Sequence, residues 1–524
     1  MKNALVSVYH KDGIIEFARE LKELGFEIYA SGGTAKHLQT VDIKVKDVAE
    51  LVGGNAILGH RVVTLSRQIH AGLLSRNIPE DIEELAKLGI PHFDLVCVDL
   101  YPLEDEIIKP DSTRELIIEK TDIGGPTMIR SAVKGGRVVI CDPIDRNKVI
   151  EWLKAGASDN DFVEKLGAKG EFIISKYCMA SAGYLSKGRY VGIFGKEIAV
   201  CKYGENANQT PAALFSSGSN DPLSIDKFKV IEGTAPSYNN YCDIDRLLQT
   251  ITHIAAVYDL NTGKIPLIAI GVKHGNACGA AVGDTPIETL KKMMSGDPLA
   301  IFGGLIMTNF PIDETLAEEL SGKLLDGVIS PSFKEDAIAK LRRKGDKCRF
   351  IANEKLSSLD KDSLDKQLRF RYMRGGFLRQ PNYTFTIDLN APEMQKYGEA
   401  SEENKNDILL AWAVGTTSNS NTIALVKNGQ LIGNGVGQQD RVGAAKLAVE
   451  RATRSGHDIS SATAFSDSFF PFPDGPEVLI NAGVKIILTT SGSRKDNETI
   501  ELCQKHNVAL YMIPDILARG FFGH

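Results

Sequence analysis

Two adjacent residues near the middle of the sequence have side chains suited to proton transfer beside a developing negative charge. Lys273 and His274 directly follow the apolar run 265–272, which is typical of a buried strand. Open α/β sheets bind ligands beyond the carboxyl ends of their strands, and a neighbouring ammonium group lowers the pKa of an imidazole so that it works as a neutral base. A lone histidine is more often structural, but Asn276 in the same cluster favours a catalytic site.

Other segments add polar groups to this candidate site. Asn421 lies within Ser420-Asn421-Thr422, and Arg441 ends the run Gln438-Gln439-Asp440-Arg441. Amide and guanidinium groups gathered from several segments usually form a site for a polar, phosphorylated substrate. The aromatic stretch from Phe469 to Asp474 has two interpretations, a wall for a flat heterocycle or a plug that fills the core.

A glycine-rich segment near the N-terminus is suited to phosphate. Ser31-Gly32-Gly33-Thr34 lies between a predicted strand and a predicted helix. Glycines let the backbone approach an anion, hydroxyls add donors, and a helix N-terminus adds partial positive charge. The pattern predicts a phosphate site, although a plain Gly-Gly turn has the same sequence.

A second glycine-rich segment, Asp122-Ile123-Gly124-Gly125, follows the same logic. Pro126 comes next and suits a first helical turn. The segment therefore puts the carboxylate of Asp122 at a turn and Lys134 on the helix that follows it.

The elements that must position these residues are those of α/β domains. Up to about residue 155, strand-like runs alternate with helical patterns, which indicates a parallel sheet with crossover helices. The helix after the first strand has one apolar face and should end at Gly25. The strands of this part are predicted at 5–9, 26–29, 94–100 and 137–141.

After a helical stretch at about 160–190, the pattern indicates a second α/β region. We place the boundary near 195, which gives domains 1–195 and 196–524. Asn428-Gly429 predicts a hairpin turn. Two strands that each end in a polar cluster make two related subdomains plausible. The later strands are predicted at 266–272, 301–307, 328–330, 462–466 and 484–490.

Composition excludes several classes of protein. The 524 residues include 61 Lys and Arg against 67 Asp and Glu, a formal charge of −6 that gives no cationic excess for binding nucleic acid. No apolar run approaches the roughly 20 residues of a membrane span, and no signal peptide is evident, so we expect a cytoplasmic protein. The 8 cysteines form no C-x-x-C pair, which argues against a disulfide framework or a structural zinc site.

Taken together, the motifs resemble one family along nearly the whole chain: bifunctional purine biosynthesis proteins, in which AICAR transformylase is fused to IMP cyclohydrolase. The N-terminal matches are Ser7, Lys11, Ser31 to Lys36, part of 59–72, Leu100-Tyr101-Pro102 and Asp122 to Gly125. The C-terminal matches are Lys202 to Asn206, Lys273 to Asn276, Phe302-Gly303-Gly304, Asp326 to Ile329, Gly375 to Leu378, Ser420-Asn421, Gln438 to Arg441, Ser466-Asp467 with 469–474, and Ser491-Gly492-Ser493.

The resemblance implies a methylglyoxal-synthase-like N-terminal domain and two cytidine-deaminase-like α/β subdomains without zinc. It also implies formyl transfer from 10-formyltetrahydrofolate to the weakly nucleophilic amine of AICAR, with no metal. His274 would move the proton, Lys273 would stabilise developing charge, and Asn421 would orient the formyl oxygen. The resemblance further implies that Lys202, Tyr203, Asp326 and Arg441 hold AICAR, with Phe469 and Asp474 near the folate.

The second implied reaction closes formyl-AICAR to IMP with loss of water, and proximity does much of the work because both groups belong to one molecule. The family also implies a homodimer with transformylase sites formed across subunits. The catalytic residues of ring closure would be Asp122, Lys134 and Tyr101. The substrate-binding residues there would be Ser7, Lys11, Ser31, Gly32, Gly33, Thr34, Arg61 and Thr64.

The first domain departs from the family pattern where ring closure is expected. Val63 replaces a lysine, Ser66 and Arg67 replace a His-Pro pair, and Asp99 replaces an asparagine. A valine neither donates a hydrogen bond nor carries charge, so an oxyanion there loses about 1.5–3 kcal/mol. The alternative is therefore a transformylase whose first domain only binds nucleotide or supports a dimer. A non-catalytic sensor of AICAR or folate is less well supported, because binding alone needs no placed base.

Overall fold

The structure is a computed structural model that describes residues 2–58 and 61–523 of the chain. Gly59 and His60, which belong to the motif that contains Val63, lie outside the described residues. The chain divides into two compact units, Met1–Phe194 and Gly195–His524.

The first unit is built on the parallel sheet that the sequence predicts. Its strands lie side by side in the order β3-β2-β1-β4-β5, and each neighbouring pair is parallel. The first strand ends two residues earlier than predicted, because the N–H of Val8 bonds to the hydroxyl of Thr34 instead of continuing the ladder. The strands are β1 Lys2–Ser7, β2 Phe26–Ala30, β3 Lys46–Asp47, β4 Leu95–Val98 and β5 Val138–Ile140.

Helices cover both faces of this sheet. Alternating residues of β1 enter different cores: Leu5 packs with Tyr29 on one face, while Ala4 and Val6 pack with Phe17 on the other. The helices are α1 Ile14–Glu23, α2 Gly32–Gln39, α3 Val48–Val52, α4 Arg67–Leu74, α5 Pro79–Lys87, α6 Leu103–Ile108, α7 Arg114–Glu119, α8 Gly124–Lys134, α9 Arg146–Lys154 and α10 Asn160–Leu185.

The second unit contains one long mixed sheet and two separate hairpins. The hairpins pair β6 with β7 and β14 with β15, and the long sheet contains the remaining strands. Its strands are β6 Lys196–Cys201, β7 Ala212–Ser216, β8 Lys229–Glu232, β9 Leu267–Lys273, β10 Asn276–Gly283, β11 Leu305–Thr308, β12 Gly327–Ser330, β13 Arg349–Ala352, β14 Leu368–Met373, β15 Gly376–Pro381, β16 Gln395–Tyr397, β17 Ile423–Lys427, β18 Gln430–Gly435, β19 Thr463–Ser466, β20 Ile486–Ser491 and β21 Ala509–Pro514.

Helices form a layer on each face of the long sheet. Residues of α11 and α15, including Ile254 and Trp412, form the central core on one face, and the shorter helices cover the other. Within the described ranges, every helix is too short or too polar to cross a bilayer. The helices of this unit are α11 Tyr238–Thr262, α12 Pro286–Ser295, α13 Glu314–Leu320, α14 Glu335–Leu341, α15 Glu402–Thr416, α16 Arg441–Arg454, α17 Asp474–Asn481, α18 Asp496–Lys505 and α19 Asp515–Ala518.

The long sheet consists of two halves with the same succession of elements. A long helix leads into a hairpin (β9–β10 or β17–β18), and three further strands then follow, each preceded by a helix. The sheet order is β16-β21-β20-β19-β17-β18-β10-β9-β11-β12-β13-β8, so the halves meet where β18 pairs antiparallel with β10. The pair of related subdomains expected from the sequence is therefore present as two halves of one sheet.

Strand directions bring parts of both halves to one edge, which we call the site edge. β19, β20 and β21 run in the same direction as β9, so their carboxyl ends lie beside the β9–β10 turn. β11 and β12 run in the opposite direction and begin at this edge. The site edge thus collects residues that are far apart in the sequence.

An aspartate holds the turn of each hairpin, the half-buried Asp243 in one and the buried Asp407 in the other. His274 and Gly275 have positive φ of 52° and 71°, and Gly275 N–H donates to Asp243 Oδ1 at 2.7 Å. The predicted Asn428-Gly429 hairpin is confirmed, and both of its N–H groups donate to Asp407, at 2.9 and 2.6 Å. Equivalent turns are therefore fixed by equivalent carboxylates.

We expect replacement of Asp407 by Asn to change how stability depends on pH. Burial raises the pKa of Asp407 from 3.8 to about 6, so the folded state favours the protonated acid and loses stability as the pH rises through 6. A difference of about two pKa units is worth about 3 kcal/mol. The free energy of unfolding of Asp407→Asn, relative to wild type, should therefore rise by up to about 3 kcal/mol between pH 4 and pH 7.

Urea unfolding of the second unit at several pH values measures this difference. Asp458→Asn is the matched control: hydrogen bonds from Lys427 and Ser460 lower the pKa of Asp458, so it stays ionised and its difference from wild type should be flat over this range. A flat difference for Asp407→Asn as well would contradict the prediction.

Candidate active sites

The predicted phosphate residues of the first unit lie together. Ser7 Oγ lies 2.7 Å from Ser31 Oγ, and Lys11 Nζ donates to Thr34 Oγ1 at 3.2 Å. Gly32 and Gly33 form the first turn of α2, and a side chain at either position would meet open space. The turn is therefore an exposed helix N-terminus lined by hydroxyls and one ammonium group, which suits a phosphate.

Asp122, Tyr101 and Thr64 form a second cluster around the start of α8. Asp122 accepts from the N–H of Gly125 at 2.9 Å, and the N–H of Tyr101 also bonds to its carboxylate. Gly124 lies against Thr64, since a Cβ at Gly124 would be 2.5 Å from Thr64 Oγ1. Burial raises the pKa of Asp122, although the N–H groups oppose the shift. A carboxyl of this kind is a better base than an exposed one.

Of the other predicted residues, Lys134 lies apart from this cluster and Arg61 is engaged in an ion pair. Lys134 is at the C-terminal end of α8, about 15 Å along the helix from Gly124 at 1.5 Å per residue. Arg61 is largely exposed and pairs with Glu119 at 2.7 Å. Within one chain, the fold therefore does not bring Lys134 to Asp122.

Sequence reasoning missed a tyrosine that holds this cluster and a lysine beside it. The Tyr177 hydroxyl accepts from the N–H of Asp122 at 2.6 Å and donates to the carbonyl of Lys120 at 2.8 Å. Lys120 Nζ donates to the Tyr9 hydroxyl at 3.0 Å and lies 6.0 Å from the Tyr101 ring centroid. No local pattern marks either residue, because α10, which carries Tyr177, follows much later in the chain.

In the second unit, the β9–β10 turn presents Lys273 and His274 at the site edge. The N–H groups of His274 and Gly275 both bond to Asp243, so this half-buried carboxylate holds the turn by two successive backbone groups. Lys273 Nζ donates to the carbonyl of Phe302 and lies 5.9 Å from its ring centroid. The histidine side chain is exposed, and its backbone is fixed.

Asn276 connects this turn to the segment that carries Asn421. Asn276 Oδ1 accepts from the N–H of Asn419 at 3.1 Å, and its Nδ2 donates to the carbonyl of His274 at 3.3 Å. Asn421 Nδ2 in turn donates to the carbonyl of Gln438 at 2.8 Å. The structure thus brings the predicted base and the predicted amide to neighbouring segments of the same edge.

Arg441 is held by an aspartate that the sequence analysis did not assign to the site. Its guanidinium forms an ion pair with Asp467, whose side chain has 0% exposure, against 11% for Arg441. Asp467 also accepts from Ser420 Oγ at 2.5 Å and from the N–H of Thr422 at 3.1 Å. Asp467 therefore orients Arg441 and the Asn421 segment together.

The remaining predicted residues lie around this edge. Asp326 precedes β12, and its N–H donates to the carbonyl of Gly304 at 2.9 Å, close to the contact between Lys273 and Phe302. Lys202 Nζ lies 6.0 Å from the Tyr203 ring, in the loop after β6. This loop reaches the first turn of α11, because Asn239 Nδ2 donates to the carbonyl of Glu205 at 3.3 Å.

The aromatic stretch fills the core with one ring, and its role as a wall for a heterocycle stays a prediction. Phe470 is buried and fills the core, whereas Phe472 is exposed. Phe469 is half-buried, with Arg519 5.9 Å from its ring centroid. Asp474 starts α17 and accepts from the N–H of Gly475 at 2.9 Å. Phe469 and Asp474 can therefore line a ligand while Phe470 anchors the loop.

Comparison with known proteins gives the family. The profile of the AICARFT/IMPCHase bienzyme matches residues 136–451, and that of the MGS-like domain matches residues 13–127. The bifunctional purine biosynthesis protein PurH of Macrococcus caseolyticus is 35% identical over 98% of each chain. The PurH proteins of Oceanobacillus iheyensis and Aquifex aeolicus are each 34% identical over 97% of this chain and 98% of theirs.

The chain belongs to the bifunctional purine biosynthesis protein family. Membership confirms the predicted family, its methylglyoxal-synthase-like first domain and the α/β class. These relatives match along nearly their whole length, and nothing among them favours a transformylase-only chain. Among the residues that the structure describes, no group of three or more His, Cys, Asp or Glu side chains is placed to hold a metal ion.

We expect Asp467→Ala to destabilise the second unit by about 3–5 kcal/mol, the usual cost of removing one partner of a buried ion pair. The substitution leaves Arg441 buried without its carboxylate and removes the acceptor of Ser420 and Thr422. The free energy of chemical unfolding measures the effect. Asp474→Ala is the control and should cost much less because Asp474 is exposed; equal losses for the two variants would contradict the role given to Asp467.

Proposed function

We propose that this chain transfers a formyl group from 10-formyltetrahydrofolate to AICAR and then closes formyl-AICAR to IMP, two successive steps of purine biosynthesis. The observation that carries the proposal is the site edge, where Lys273 and His274 of one half meet Asn421 and Arg441 of the other. Membership in a bifunctional family supports both activities. We assign formyl transfer to the region 196–524 and ring closure to 1–195.

In the transfer step, His274 takes the proton of the AICAR amine as it attacks the formyl carbon. Lys273 places positive charge next to the oxygen that becomes negative. An amide nitrogen carries two hydrogens, so Asn421 can orient the formyl oxygen with one while the other is donated to Gln438. The positive-φ turn held by Asp243 fixes the backbone from which the imidazole projects.

The same edge offers groups for binding. Arg441, oriented by Asp467, together with Asp326, Lys202 and Tyr203, is proposed to hold AICAR. The half-buried ring of Phe469 provides an apolar surface for the folate, and Asp474 lies close by as a hydrogen-bond acceptor. A phosphorylated substrate suits these cations.

In ring closure, the hydroxyls and glycines of Ser31 to Thr34, with Ser7 and Lys11, bind the phosphate of formyl-AICAR. Asp122 takes a proton from the attacking carboxamide, and Tyr101 and Thr64 lie beside it. Holding both reacting groups close together supplies much of the rate.

Two substitutions should separate the activities. His274→Ala is expected to lower formyl transfer by about 10²–10⁴-fold, the usual contribution of a general base, and to leave ring closure of supplied formyl-AICAR unchanged. Asp122→Asn is expected to lower ring closure of supplied formyl-AICAR and to leave formyl transfer unchanged. Folate product and IMP are followed separately by absorbance.

Thermal unfolding of each variant, compared with wild type, shows whether the unit that carries the substitution is folded. Wild-type protein that releases no tetrahydrofolate at saturating substrates would remove the transformylase assignment. A His274→Ala variant with full transfer activity would remove the proposed base.

We also propose a homodimer, supported by the exposed β14–β15 hairpin. Its strands pair with each other in a separate two-stranded sheet, a unit that is marginally stable alone. Its apolar side chains are nevertheless exposed, with Tyr372 at 82% and Leu378 at 60%. Exposed apolar patches of this kind mark interaction surfaces. The predicted cytoplasmic location and lack of nucleic-acid or membrane partners stay predictions.

Charged residues on this hairpin should weaken the dimer. The double variant Tyr372→Asp, Leu378→Asp is expected to shift the protein from dimer to monomer in size-exclusion chromatography with light scattering, because each carboxylate would have to be buried in the interface. Ile144→Asp, an equally exposed position in the first unit, is the control. An unchanged mass for the hairpin variant would place the interface elsewhere.

A further inference from the structure

Lys120, which follows α7, places a positive charge near Tyr9 and Tyr101. Its ammonium group donates to the Tyr9 hydroxyl at 3.0 Å and lies 4.9 Å from the Tyr9 ring centroid and 6.0 Å from that of Tyr101. The two rings lie edge to face, with centroids 5.3 Å apart. Tyr9 follows β1 and Tyr101 follows β4, so both lie at the carboxyl end of the parallel sheet, where α/β folds bind ligands.

The backbone of Lys120 is fixed by the residue that also fixes Asp122. Tyr177, buried on α10, donates to the carbonyl of Lys120 and accepts from the N–H of Asp122. The N–H of Lys120 closes the last turn of α7 by bonding to Leu116. The ammonium of Lys120 and the carboxylate of Asp122 therefore belong to one short, anchored segment.

Both groups act electrostatically on the Tyr101 hydroxyl. The charge of Asp122 raises the pKa of Tyr101 and that of Lys120 lowers it, with burial as the largest cause of the net increase. A cation, an anion and a phenol thus face one another at this point of the unit. Val63, at the position where the family pattern has a lysine, carries no charge. Its apolar side chain packs against the core around Leu5 and Tyr29.

We propose that Lys120 is a catalytic residue of ring closure, which stabilises and protonates the formyl oxygen of formyl-AICAR. This inference rests on the proposed function of the first unit. The carboxamide nitrogen attacks the formyl carbon, a C–N bond forms, and the electron pair of the C=O bond moves to the oxygen. Lys120 donates a proton to that oxygen while Asp122 takes one from the carboxamide nitrogen.

The second half of the reaction completes the balance. The C–O bond breaks as Asp122 returns its proton to the leaving hydroxyl, which departs as water. The neutral amine of Lys120 takes the proton of the formamide nitrogen as the C=N bond forms. Both residues are thereby restored, so no oxidant, reductant or further reactant is needed.

The test compares Lys120→Met, which keeps the length but loses the charge, with Lys120→Arg, which keeps the charge. With supplied formyl-AICAR, Lys120→Met should lower kcat by about 10²-fold or more with a smaller change in KM, because the charge develops only in the transition state. Lys120→Arg should recover at least about tenfold of the lost kcat, since a guanidinium still stabilises an oxyanion. Lys87→Met, an exposed lysine at the end of α5, is the matched control and should behave as wild type.

Formyl transfer by the same preparations reports that the second unit is intact, and the thermal unfolding of each variant reports whether the first unit is folded. Spectrophotometric titration of the tyrosines gives a readout besides activity: loss of the Lys120 charge should raise the pKa of the Tyr101 hydroxyl, and the Arg variant should largely restore it.

The outcomes separate the two proposals. Wild-type protein that closes formyl-AICAR no faster than buffer overturns both. Wild-type protein that closes the ring, with Lys120→Met equally fast, overturns the role of Lys120 alone. An Arg variant as slow as the Met variant overturns the stabilisation of the oxyanion by charge, because a guanidinium keeps the charge of Lys120 although it does not give up a proton.

Discussion

The antiparallel pairing of β10 with β18 is the constraint on which the second unit depends. It joins two halves of the same architecture into one sheet and sets the direction of the strands of the second half relative to β9. As a result, the turn after β9 lies at the same edge as the carboxyl ends of β19, β20 and β21. A parallel pairing would have sent the imidazole of His274 and the guanidinium of Arg441 to opposite edges.

The two halves also show how one architecture can carry different side chains at two equivalent turns. Both turns have two residues with positive φ held by an aspartate, Asp243 or Asp407. In the first half the turn carries His274 next to Lys273. In the second half it carries Asn428, and the preceding Lys427 is paired with Asp458 at 2.7 Å. The two turns have the same backbone conformation and differ in the side chains that they carry.

The first unit depends on a different arrangement, the alignment of loops after parallel strands. Ser7 ends β1, Ser31 follows β2, and Tyr101 follows β4, so the residues proposed for binding and reaction collect at one end of the sheet. The Tyr177 hydroxyl, on α10, bonds to the backbone of Lys120 and Asp122 and fixes that segment. Val63 packs against the core around Leu5 and Tyr29, while Lys120 comes from another element.

Many helices, strands and turns of the fold could be predicted from the sequence, because they depend on the periodicity and turn residues of short segments. The amphipathic face of α1 with its stop at Gly25, the parallel alternation of the first unit and the Asn428-Gly429 hairpin follow from periodicity and turn chemistry, and the structure has all of them. The chemical character of Lys273, His274 and Asp122 is likewise a property of residue type and position after a strand. Strand ends were less accurate, since hydrogen bonds from loops such as Val8 to Thr34 decide where a ladder stops.

What the sequence alone determined is therefore which groups are available and the short elements that carry them. Only the tertiary structure decided which of these groups meet. Asp467 beneath Arg441, Asp243 beneath His274 and Lys120 beside Tyr101 join segments separated by long stretches of chain. No local pattern encodes such contacts, because they arise only when strand order and direction are fixed and burial then favours pairing among the polar groups that are brought together.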